Sequence, residues 1–291
     1  MNRLLPRILF FLSISFIQIN AWVYPEHREI ALRAVESLSS QYRSILDSLW
    51  HEARIGNESR LSETVIDPLQ TVDLDCVDFA AWSAISGDHS CSAENMLDVV
   101  LNSNWVLDVA RVNANLKVSL ATAENRVDVI NALRDSDLRL QKADPEYATR
   151  AGSNNVHFLL SLHDINMTMK AYIDSCLVEG VEINSIGAYF LYHASALKKA
   201  SKLVLTSLSQ DERSRLILSA LADEAFAQHF LEDMFAAGHA AGTWGDVSQR
   251  KGTHDYYNEH GLKVMTWKGE KTVLMGDAWM RDDNAHRAAQ V

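Results

Sequence analysis

Arg215-Leu-Ile-Leu-Ser-Ala-Leu-Ala-Asp-Glu-Ala-Phe-Ala-Gln-His229-Phe-Leu-Glu-Asp233-Met-Phe-Ala-Ala-Gly-His239 carries both the fold signal and the chemical signal of this chain. Leu216, Ile217, Ala220, Leu221, Phe226 and Ala227 recur at helical spacing, so the stretch predicts a helix. His229 and Asp233 follow, four residues apart, which puts an imidazole nitrogen and a carboxylate oxygen on one face. That is half of a divalent-cation site. Gly238 is placed to stop the helix, leaving His239 just beyond it with a different aim.

Working outward, the helical period dominates. Glu26 to Leu49 carries one stripe of Ile30, Ala31, Ala34, Val35, Leu38, Tyr42, Ile45 and Leu49. Residues 56–92 show no clear period and predict a long functional loop with short helical pieces. Ala93 to Leu133 predicts one or two helices, and Ala143 to Gly152 a break. Asn155 to Cys176, Ile186 to Leu208 and Gln210 to Ala237 predict three more helices. Gly242, Gly245 and Gly252 mark a loop. Leu262 to Trp267 and Lys271 to Met275, joined by Lys268-Gly269-Glu270, predict a small β-hairpin. The expectation is an all-α domain, mainly helical, with that hairpin near its C-terminal end.

Arg3 and Arg7 precede a short apolar run, Ile8 to Ile19, and Ala21 offers a small residue. Residues 1–21 therefore read as a signal peptide cut before Trp22, with residues 22–291 as one exported domain. Removing the two arginines from 27 basic residues leaves 25 against 38 acidic ones, a net charge of −13. Such a surface repels polyanions, so no stable nucleic-acid partner is expected. Of Cys76, Cys91 and Cys176, the first two would close a short loop as a disulfide, with Cys176 as a buried thiol.

Metal-ligating residue types fall into four groups in chain order: Trp22 and His27; Asp78, Asp88 and His89; His229, Asp233 and His239; and His254, Asp255, Asn258, Glu259 and His260. Imidazole and carboxylate in such numbers suit zinc. Either Asp78 or Asp88 would ligate, the other orienting it, with Asp78 preferred. His157 is a further orienting or substrate-side group, or a core histidine.

These pieces together resemble the zinc-dependent phospholipase C / S1–P1 nuclease superfamily. The matches are Trp22-x4-His27 after a leader, an Asp then a His in the next loop, H-x3-D-x5-H, and a further His. Gly87-Asp88-His89-Ser90-Cys91 and Asp255-Tyr256-Tyr257-Asn258-Glu259 look most like secreted bacterial phospholipases C. The Trp22–His27 spacing looks more like the nucleases. The resemblance implies up to three zinc ions. Asp78, His89, His229 and Asp233 would hold the first. His239 and His254 would hold the second with one more oxygen. The Trp22 terminus, His27 and Asp233 would hold the third. The family's last ligand is a carboxylate four residues after the final His, where this chain has Asn258. The activity implied is hydrolysis of a phospholipid phosphodiester by a metal-activated water, with Asp78 doubling as catalytic base, at a membrane surface. A single-strand nuclease or nucleotidase would use the same residues, with a base stacked on Trp82, Trp105, Trp244 or Trp267. A zinc-stabilised binding domain without activity is the third expectation. No G-x-S-x-G or Walker loop supports other hydrolytic chemistry.

Overall fold

Helices succeed one another along nearly the whole described chain of the computed structural model, which covers residues 22–69, 71–144, 146–147, 154–159, 166–178, 183–241 and 254–291. In order they are α1 (Tyr24–Ser37), α2 (Ser40–Arg54), α3 (Phe79–Ile85), α4 (Ala93–Asn102), α5 (Trp105–Thr122) and α6 (Arg126–Ala143). A 3-10 turn (Asn154–His157) is followed by α7 (Met169–Cys176), α8 (Ser185–Leu205), α9 (Gln210–Asp233), α10 (Ala237–Ala241) and α11 (His254–His260). The hairpin β1 (Leu262–Met265) and β2 (Lys271–Leu274) precedes α12 (Asp282–Ala289). The fold is mainly helical with one small antiparallel hairpin, as the periodicity predicts. The expected leader at residues 1–21 and the Gly-rich loop with Trp244 lie outside the described residues.

α9 is the centre. Ser209 and Glu212 cap its start reciprocally: the Ser209 hydroxyl accepts from Glu212 N, and the Glu212 carboxylate accepts from Ser209 N at 2.9 Å. Its second half buries Leu221, Ala222, Ala225, Phe226, Ala227 and Phe230 together with His229, Glu232 and Asp233. A helix enclosed all round needs neighbours on every side, and α8, α4, α3, α2 and α1 provide them. Each large apolar side chain so buried contributes about 1.5–3 kcal/mol.

The expected single stripe from Glu26 to Leu49 is divided. Leu38 leaves the helical region, with ψ of 140°, and α2 restarts after Ser39. Tyr42 and Ile45 are then 62% and 51% exposed, while Leu46, Leu49, Trp50 and Ala53 face the core. Three helices, α4 to α6, occupy the region expected to hold one or two. The helix expected over Asn155–Cys176 is replaced by the 3-10 turn and α7. Phe158 O accepts from Ser185 N, and Leu159 N donates to His239 O, so this backbone bonds across the fold instead of along itself.

Cys76, Cys91 and Cys176 are free thiols, so the expected Cys76–Cys91 bridge is corrected. Cys176 is buried with Tyr172 and Ile186.

The two ends of the described chain meet. Trp22 and Ile30 pack with Ala236, Ala285 and Ala288 of α12. The buried Glu26 carboxylate accepts from Val23 N at 3.2 Å, Ala278 N at 3.0 Å and Met280 N at 2.9 Å.

Candidate metal centre

Asp233 closes α9 and is buried, and four histidines surround its carboxylate. His27 Nε2 and His239 Nδ1 each lie 3.5 Å from Oδ1, and His229 Nε2 lies 3.5 Å from Oδ2. His157 Nδ1 is 2.5 Å from Oδ2. The helix explains His229, one turn back. α1 supplies His27, the 3-10 turn supplies His157, and α10 supplies His239. The expected Gly238 stop is corrected, since α9 ends at Asp233 and Gly238 lies within α10.

Two groupings of ligand atoms are compact enough to hold an ion: His157, His229 and Asp233, and His27, Asp88 and His229. Asp233 Oδ1 and both ring nitrogens of His239 are buried without a hydrogen-bond partner. A buried polar atom left unpaired is costly, and a coordinated cation would satisfy Asp233 Oδ1 and one ring nitrogen of His239. The donor set is imidazole and carboxylate, which suits zinc. The residues present therefore fit the group.

The surroundings fix the imidazoles. His229 Nδ1 donates to Ser83 O at 3.0 Å, which leaves Nε2 as the acceptor nitrogen, 3.1 Å from His157 Nδ1. His27 Nδ1 pairs with Glu232 Oε2 at 2.5 Å, turning Nε2 toward Asp233. Such outer partners set tautomer and ring orientation at metal sites. Trp22 Nε1 donates to Glu232 O at 2.8 Å, seating residue 22 beside the end of α9.

Burial opposes ionisation of Asp233, but His229, His239 and His157 outweigh it and hold the carboxyl well below its usual range. Burial pushes His239 down to about 3 and sets His229 well below its ordinary value. Burial also lowers His27, but Glu232 and Asp233 prevail and raise it to about 9. Burial raises the Asp88 carboxyl, with His157, His27 and His89 pulling it back.

Two expected ligands are corrected. Asp78 caps α3, its Oδ1 accepting from Ala81 N at 2.9 Å. Its Oδ2 accepts from Arg28 Nη2 at 2.5 Å and Asp67 N at 2.7 Å. These bonds turn both oxygens toward α3, Arg28 and Asp67, and no compact ligand grouping among the described residues includes Asp78. His89 stacks on Tyr147 at 4.7 Å and pairs with Asp144 through Nδ1 at 3.0 Å, away from Asp233. Asp88 and His157, expected to orient a ligand or face substrate, fall instead within the two compact groupings themselves.

His254, Asp255 and Asp277 form a third compact grouping. His254 lies 5.2 Å from His239 between ring centroids, and Asp255 Oδ1 lies 3.0 Å from His254 Nδ1. Glu259 is turned away into an ion pair with Arg126, and His260 is exposed and stacks on Tyr256. His51 and His286 are exposed, His193 pairs with Glu224, and His163 lies outside the described residues.

Sequence reading missed Glu232 and Asp277. Glu232 adjoins Asp233, and a carboxylate beside a ligand is a usable signal for an orienting group. Asp277 sits after the hairpin in a polar stretch with no motif around it. Two surface clefts, lined by Lys202, Glu212 and Arg215 and by Glu29, Arg33 and His286, contain none of the clustered residues.

Comparison with protein-family models, curated proteins and solved structures gave no match.

Proposed function

We propose that this protein is a zinc-dependent phosphodiester hydrolase of the phospholipase C type, acting on a glycerophospholipid headgroup after export. The observation that carries the reading is the convergence of His27, His157, His229 and His239 on one buried carboxylate, Asp233, with unpaired donor atoms facing inward. His157, His229, Asp233 and Asp88 would hold one ion, and His27, Asp233 and the Trp22 terminus another. His239 and His254 would contribute to a third.

Bound divalent ions supply Lewis acidity for the phosphoryl oxygens and acidify a water towards neutrality. Asp233 neutralises charge between two positions. Glu232 and Ser83 O orient His27 and His229. Asp88 takes the base role expected of Asp78, because its buried carboxyl lies among the ligands and has a raised proton affinity.

One feature favours lipid over polynucleotide: the net charge is strongly negative. Of the tryptophans expected to stack a base, Trp82 is buried in the core and Trp105 is half-buried against it, whereas Trp267 is exposed. Among the described residues no helix is long and apolar enough to cross a membrane.

A paired assay tests the reading: purified chain beginning at Trp22, phosphatidylcholine against single-stranded DNA, with zinc measured on the same sample. Headgroup release with bound zinc is expected. DNA cleavage would move the assignment to the nuclease branch. Full zinc with neither activity would make the site structural.

A further inference from the structure

The second metal position lacks an evident carboxylate, and the structure supplies one from an unexpected place. The Asn258 oxygen is already engaged, because Gly238 N donates to Asn258 Oδ1 at 2.6 Å. A backbone N–H only donates, so this bond fixes the amide orientation. The Asn258 NH2 then points the other way, donating to Asp277 Oδ2 at 2.8 Å. That same oxygen lies 3.7 Å from His254 Nδ1.

Asp277 is held there deliberately. Its φ is 46° and that of Ala278 is 68°, two consecutive non-glycine residues in the left-handed region. Side chains with a Cβ adopt that region only under strain. The strain is restrained by neighbours: Gly276 N donates to Asn258 O, Ala237 N donates to Met275 O, and Ala278 N donates to Glu26. These bonds stitch the 275–278 segment to α11 and to the residues preceding His239. His239, buried with both ring nitrogens unpaired, is the independent sign that a ligand belongs between these elements.

We propose that Asp277 supplies the carboxylate of the second metal position, beside His239 and His254, and that Asn258 positions it. The inference rests on the metal-hydrolase reading above. Asp255 is the rival carboxylate, but its side chain is 54% exposed, whereas that of Asp277 is 19% exposed and anchored by Asn258. The ligand has thus moved from the position four residues after His254 to a loop beyond the hairpin, and the amide left behind holds it.

The test is zinc stoichiometry and zinc affinity against a competing chelator, with far-UV spectra and thermal midpoints on the same samples. The variants are Asp277→Asn, Asp277→Gly and Asp255→Asn. Glycine adopts the positive φ without strain, so Asp277→Gly removes the carboxylate while keeping the fold. We expect both Asp277 variants to lose one equivalent of zinc and keep the rest, and Asp255→Asn to keep all. In the double variant Asp277→Gly/Asn258→Asp, a carboxylate restored at position 258 should recover the lost equivalent. Full zinc in folded Asp277→Gly, or loss only in Asp255→Asn, would overturn the assignment. A parent protein that binds no zinc would overturn the metal-hydrolase reading itself, and this inference with it.

Discussion

Asp233 receives two imidazoles on each oxygen: His27 and His239 on Oδ1, His157 and His229 on Oδ2. On the proposed reading, one carboxylate shared between two ions would compensate both charges and fix their spacing. Asp233→Asn keeps the size and removes the charge, so the ions would repel with less compensation. Loss of more than one equivalent of zinc is expected by metal analysis, whereas Asp282→Asn, an exposed control, should lose none. His239 gives a pH prediction for the metal-free protein. Burial holds its folded pKa at about 3, below the ordinary imidazole value of 6.5. Between those values the unfolded chain binds a proton that the native site refuses, so stability is lost as pH falls from about 6.5 towards 3. The slope from this group is at most about 1.4 kcal/mol per pH unit. Urea titrations across that window should show a shallower decline in His239→Gln. At this scale the sequence made the H-x3-D-x5-H core legible, because helix geometry alone brings His229 to Asp233. It misdirected Asp78 and His89, because composition cannot show that Arg28 and Asp144 already engage them. Glu232 and Asp277 were hidden for a related reason: their roles come from contacts across the fold.

Two glycines let separate elements approach closely enough to build the site. Gly87 has φ of +67°, and a Cβ there would overlap the His229 ring and lie 2.8 Å from His157 Cε1. Gly238 would place a Cβ 2.5 Å from His254 Cδ2 and 2.8 Å from Asn258 Nδ2. Neither packing tolerates a methyl group without shifting a ligand. Gly87→Ala should cost about 1–3 kcal/mol and weaken zinc binding, with helix content unchanged by far-UV spectroscopy. An unaltered zinc affinity would show that the His229–His157 approach is not needed. Strong elements were readable: α9 has a sustained period and a capping box at Ser209 and Glu212. Weak punctuation was not. The α1–α2 break falls at Leu38-Ser39, with no proline or glycine to mark it. α7 follows a segment whose backbone partners lie on distant residues, which no local pattern encodes.

Across the whole molecule, the helical architecture and the hairpin were legible because periodicity is a summed property of many residues. The joining of the described chain's two ends was not, since it rests on contacts across the fold: the packing of Trp22 and Ile30 on α12 and one buried carboxylate. Glu26 accepts three backbone N–H groups, two of them from residues 252 and 254 positions away. Glu26→Ala would leave those donors buried and unsatisfied, at a cost of about 3 kcal/mol or more. Urea denaturation should report that loss, with zinc at the Asp277 position weakened in parallel; an unchanged midpoint would mean water replaces the carboxylate. Because α1, the middle of the chain and the last forty residues must all arrive before the donors face one another, the centre is also a stopwatch. A zinc indicator mixed with refolding protein should lag behind the recovery of helix signal, and the lag times the slowest closure of the chain.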